Sequence, residues 1–151
     1  MIKNKAFSFA EVIITVSLFF IIAGVGIGAY FEYYKSSLIK TDISNTFEII
    51  KNTRYKALKN PTNSDYGIYI DPLTRTLTSF KDIYNPANPE NVTFKMEQLD
   101  ITDLNIYPNL GVTNEIIFEA QTAKTLNYGS FTISNGSYSN NIYITSQGVV
   151  E

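Results

Sequence analysis

The hydrophobic rhythm of the chain changes twice. Residues 12–31 (VIITVSLFFIIAGVGIGAYF) run for twenty positions without a charge. At about 1.5 Å of rise per residue, such a segment spans roughly 30 Å as a helix, the thickness of a bilayer's hydrocarbon core. Its β-branched residues are mediocre helix formers in water, but lipid offers the backbone no outside partner, so helix is expected. Over 32–60 the apolar positions thin to a stripe: Leu38, Ile39, Ile43, Phe47, Ile50, Tyr55 and Leu58 recur mostly at steps of three or four. No Pro interrupts residues 7–60, so one long helix is the economical expectation, ended by Asn60-Pro61.

Beyond Pro61 the period falls to two. Segments 66–71, 75–80, 92–96, 100–106, 115–120, 128–134 and 141–146 read as up to seven strands. The first two flank Pro72-Leu73-Thr74 as a hairpin, and Asn135-Gly136-Ser137 forms a tight turn into the last strand. Within 128–134, Gly129, Phe131 and Ile133 point one way and Ser130, Thr132 and Ser134 the other. A long helix followed by strands predicts an α+β fold. Its N-terminal helix spans a membrane in its first half, is amphipathic in its second, and packs there on an antiparallel β-rich head.

Composition narrows the chemistry. The 151 residues contain no Cys and no His, which removes disulfides, thiolate nucleophiles, the usual zinc ligands and the best proton carrier near neutral pH. Tyr (11) and Phe (10) are abundant while Trp is absent, a palette suited to strands and half-wet surfaces. The net charge of −2 hides an asymmetry, because residues 61–151 carry four basic and ten acidic groups, a net of −6. That balance argues against a phosphate-backbone partner, unless a local basic patch around Arg75 and Lys81 escapes it. No nucleophile–base pair, phosphate loop or metal-ligand spacing is present, so neither enzyme activity nor a cofactor or metal is expected. Asp65, Asp71 and Asp82 are loop carboxylates of the kind that suit calcium or simply face water. The two sequons, at Asn91 and Asn135, read as turn chemistry.

The N-terminus does not fit an ordinary secretory signal, because its apolar run is too long and no A-x-A-like site follows. Glu11 interrupts the approach to that run, between Phe7-Ser8-Phe9-Ala10 and Val12. A charge inside a membrane segment is costly unless paired. Gly24 and Gly28 form a G-x-x-x-G pair that permits close helix packing or reflects simple tolerance in lipid. Tyr30, Tyr33 and Tyr34 suit a membrane-interface belt.

The stretch Lys5-Ala6-Phe7-Ser8-Phe9-Ala10-Glu11-Val12, with the apolar run behind it, resembles the processing motif of type IV pilins and type II secretion pseudopilins. The resemblance implies a leader of residues 1–6, a membrane and filament-core helix over 7–31, an amphipathic stem over 32–60 and a head over 61–151. It implies cleavage between Ala6 and Phe7 by a prepilin peptidase, N-methylation of Phe7, and a structural subunit of a pilus or secretion filament. Ala6 departs from the family's usual Gly. Assembly would pair the Glu11 carboxylate with the Phe7 amine of a neighbouring subunit; otherwise Glu11 marks only the boundary of an anchor. The implied partners are other pilin or pseudopilin subunits, the membrane and an inner-membrane assembly platform, with no nucleic acid. The implied location is the bacterial cell membrane, single-pass with a cytoplasmic N-terminus and the head outside, and then the filament. Arg54-Tyr55-Lys56-Ala57 and the ending Gly148-Val149-Val150 resemble GspH/FimT-type minor pseudopilins. The alternative class is a membrane-tethered β-domain binding module that does not polymerise.

Overall fold

The computed structural model describes residues 8–107 and 114–151. Residues 1–6 and Phe7, and with them the Ala6–Phe7 cleavage position, lie outside the described residues. The chain is an α+β protein whose described residues form one long N-terminal helix and seven antiparallel strands, and it divides into two units, Met1–Ser37 and Leu38–Glu151.

Helix α1 (Phe9–Lys59) runs 51 residues without a break. Ser8 starts it: its Oγ accepts the Ala10 N–H at 3.2 Å, while Glu11 Oε2 reaches back to accept the Ser8 N–H at 2.7 Å. This reciprocal arrangement is a capping box, satisfying N–H groups that have no partner within the helix. Asn60 ends the helix, as its side chain accepts the Thr62 N–H and donates to the Ser64 carbonyl. Lys56 and Lys59 in the last turn complement the negative end of the helix dipole.

In the first unit every described residue is exposed except Ala23, which is half-buried. The second unit contains the core. Strands β1 (Tyr66–Asp71), β2 (Thr76–Lys81), β3 (Val92–Lys95) and β5 (Glu115–Phe118) form one sheet in the order β3-β2-β1-β5. Strands β4 (Asp100–Tyr107), β6 (Tyr128–Ser134) and β7 (Ser139–Ile144) form a second, in the order β4-β6-β7. Alternation decides the faces. Ile68 and Ile70 of β1, Leu77 of β2, Ile116 and Phe118 of β5, and Phe131 and Ile133 of β6 all point into one core with Ile50 and Ala57 of α1. Burying side chains of this size contributes about 1.5–3 kcal/mol each.

The helical stripe differs in detail from the apolar periodicity. The buried positions of α1 are Asp42, Thr46, Ile49, Ile50, Thr53 and Ala57, whereas Tyr55 and Leu58 are exposed. Three polar residues take buried places because each finds a partner there. Thr46 donates to the Asp42 carbonyl at 2.8 Å, and Thr53 donates to the Ile49 carbonyl at 2.7 Å and to Ser79 Oγ at 2.8 Å. Asp42 Oδ2 accepts the N–H groups of Glu97 and Gln98 at 3.1 and 2.9 Å.

Strand ends also shift where turns dictate. The last strand is Ser139–Ile144 and not 141–146, because Asn135 closes its turn onto Tyr138 and Gly148 returns to Thr145. The terminal residues then fold back, with Tyr143 and Glu151 exchanging two backbone hydrogen bonds of 2.9 Å. Gly129 of β6 lies against the β4 backbone at Asn105, where a Cβ would strike the carbonyl oxygen; there β4 carries a bulge between Thr102 and Asn105.

Candidate functional site

Large apolar side chains around the whole circumference of α1 lie uncovered by their own chain: Phe9, Ile14, Phe19, Phe20, Ile21 and Val25 are each 65–81% exposed. The most apolar stretch of this helix has none of its residues buried. A helix apolar all round belongs in a core, in lipid or among other helices. This one has no core of its own, and its length and composition allow it to cross a membrane.

Glu11 is the one charged residue between Phe9 and Phe31. Its role in the capping box was readable in Ser8-Phe9-Ala10-Glu11, a S-x-x-E signature that the processing motif overshadowed. The box occupies Oε2, and Thr15 Oγ1 donates to the Glu11 carbonyl at 2.7 Å. Gly24 and Gly28 sit with open space at the position of a missing Cβ, so that face can be closely approached. Tyr30, Tyr33 and Tyr34 are exposed, and the rings of Tyr30 and Tyr34 stack at 6.2 Å.

In the second unit the structure joins two short motifs that lie far apart in sequence. Arg54 and Gly148 meet: a Cβ on Gly148 would come within 3.3 Å of Arg54 Nε and would strike the Ala123 carbonyl oxygen. Gly148 also has φ +72°, a conformation that side chains disfavour. Three residues on, Ala57 is fully buried and its carbonyl accepts the Gln121 N–H at 3.0 Å.

Other candidate groupings come apart. Asp65 and Asp71 flank the full length of β1, so they cannot share a calcium ion with each other. Asp65 Oδ1 accepts the Ala120 N–H at 2.7 Å, and Asp71 holds the β1–β2 turn through Leu73 and Thr74. The Thr74 hydroxyl bond, outweighing partial desolvation and helped by the Leu73 and Thr74 N–H groups, pulls the Asp71 carboxyl below its ordinary value. Among the described residues no three His, Cys, Asp or Glu side chains gather as metal ligands. Arg75 and Lys81 do not form a basic patch: they flank β2 from its two ends, and Arg75 pairs with Asp100 at 3.4 Å. Both sequon asparagines are engaged, Asn91 donating to the Asn85 carbonyl and Asn135 accepting from Ser137 and Tyr138.

A depression of about 620 Å³ runs between α1 and the edge strand β3, lined by Ile49, Asn52, Lys56, Val92 and Phe94. On the outer face of the same sheet Tyr69 and Tyr84 stack at 4.1 Å. Desolvation, and then the neighbouring Tyr69, raise the Tyr84 phenol above its ordinary value and keep it neutral. No family model, no curated protein and no solved structure matches this chain.

Proposed function

We propose that this chain is a structural subunit, a minor pilin or pseudopilin, of a type IV pilus or type II secretion-type filament. In this reading it is matured by prepilin peptidase and assembled through the first half of α1. The observation that carries the reading is the combination at that helix: a long segment apolar on every side, uncovered by its own chain, and headed by a single acid. A membrane holds such a helix before assembly, and a bundle of like helices holds it afterwards. The acid then has a purpose, because a carboxylate in an apolar bundle is tolerated when an amine of the adjacent subunit meets it and penalised when register slips. The liberated Phe7 amine supplies that charge. Gly24 and Gly28 give neighbouring helices room to approach. The head stays outside the cell, and the partners are fellow pilin-like subunits, the peptidase and an inner-membrane assembly platform.

One observation favours the second reading, a tethered β-domain that does not polymerise. Glu11 already has a local partner in the Ser8 N–H. The intact mass of the chain extracted from membranes separates the two readings. A chain beginning at a methylated Phe7 supports the filament subunit; a chain still beginning at Met1 supports the tether.

A further inference from the structure

We infer that the pocket between α1 and the C-terminal segment receives an acidic side chain from the head of a second copy of this chain. The pocket has a volume of about 350 Å³ and is lined by Lys51, Arg54, Tyr55, Leu58, Gly148 and Val149. Arg54 is one of these lining residues, and its Nε is enclosed by protein yet has no hydrogen-bond partner. An enclosed, charged donor without an acceptor is unfavourable, and native structures rarely leave one unmatched. Among the described residues the ion pair is Arg75–Asp100, so no described carboxylate pairs with Arg54 or Lys51. Lys51 lies three residues before Arg54 on the same helix face, its Nζ 5.6 Å from the Phe47 ring. Both cations line the one depression. Gly148 fixes the wall on that side, since a Cβ there would strike the Ala123 carbonyl oxygen and crowd Arg54 Nε.

The rim identifies the occupant as a polypeptide and not a small ion. Tyr55 is 60% exposed, Leu58 and Val149 42% each, and a free anion would leave all three wet. Tyr and Arg at the centre of an apolar rim are the residue types that dominate protein–protein contacts. Charge selects the partner surface. Residues 32–60 hold six basic and three acidic groups, a net of +3, whereas residues 61–151 carry −6. The acidic head of one copy thus complements the basic helix face of the next. Exposed Glu97, Asp100 and Asp103 follow at three-residue intervals just before and along β4, Asp100 being already paired with Arg75. A contact between two different surfaces of like copies is heterologous and repeats from subunit to subunit. It asks nothing of Phe7 or Glu11, so its failure and that of the filament reading are separable.

Photo-crosslinking of the full chain in lipid vesicles tests the contact, with p-benzoylphenylalanine replacing Tyr55. The expected result is a crosslinked dimer whose joined peptide, mapped by mass spectrometry, contains Glu97, Asp100 or Asp103. Its yield should fall about tenfold with Arg54→Glu, and as salt rises from roughly 0.05 M to roughly 1 M. Lys51→Glu repeats the charge test should Arg54→Glu not fold, as judged by circular dichroism. Absence of the dimer, a yield indifferent to both reversals, or a crosslink confined to the membrane helices would overturn the inference. So would saturable binding of acetate to a chain that shows no crosslink.

Discussion

Asp42 is 6% exposed, and its two backbone partners at Glu97 and Gln98 lie 55 and 56 residues away in sequence. It ties α1 to the loop between β3 and β4, a role that helical periodicity cannot reveal because an acid at a buried position breaks the pattern. Asp42→Ala should destabilise the second unit by about 1–3 kcal/mol, since both N–H groups lose their acceptor. Asp42→Asn should cost less because an oxygen remains. Denaturant unfolding followed by tyrosine fluorescence would measure both; equal losses would show that charge and not hydrogen bonding matters there. Asp71 makes a prediction in pH. Its carboxyl is held below 3.8 in the folded chain, so its contribution is present above that value and lost as pH falls through the folded pKa. The stability gap between wild type and Asp71→Asn should therefore be open near about pH 6 and close under strongly acid conditions. A gap unchanged over that range would refute this account of the turn.

The strands were legible because their alternation is regular, and Tyr66–Asp71 and Tyr128–Ser134 match the sequence reading residue for residue. The division into two sheets was not, because nothing local states that β5 crosses to pair with β1. The closure of the edges was equally hidden. Beside β5, Asn127 Oδ1 accepts the Ile117 N–H and its Nδ2 donates to the Glu115 carbonyl, so a side chain imitates a strand. Beside β7 the chain end takes this place. On β4 a bulge with Asp103 at φ +50° interrupts the edge. Strand β3 is the exposed edge, and the Met96 N–H bond to the Arg75 carbonyl fixes which of its groups face β2. By that register Phe94 bonds to β2 while the Thr93 N–H points outward. Thr93→Pro loses only the hydroxyl bond to Thr78 and should cost about 1 kcal/mol, whereas Phe94→Pro should cost about 3 kcal/mol or more. Thermal unfolding of the two variants would check this, and similar losses would contradict the register.

At the scale of the molecule, the two units differ in whether their apolar side chains are covered. Leu38–Glu151 buries its own core, with Phe118, Phe131 and Ile50 fully inaccessible. The apolar half of α1 buries nothing against its own chain. That imbalance was visible in twenty uncharged residues, and it is why the N-terminus speaks of function while the head speaks mostly of packing. What sequence reading missed is that Glu11 already serves the helix as a capping acceptor, so under the proposed assembly the same residue has two separable duties. Glu11→Gln divides them. Glutamine at this position preserves the capping box, so α1 should form and reach the membrane as before, while the charge available to a neighbour's amine is lost. The decisive measurement is incorporation of Glu11→Gln into sheared filaments alongside wild-type chain, quantified by mass spectrometry. Incorporation should fall at least about tenfold, as loss of a paired buried charge implies, with the variant accumulating in the membrane, cut before Phe7. Incorporation at the wild-type level would contradict the account.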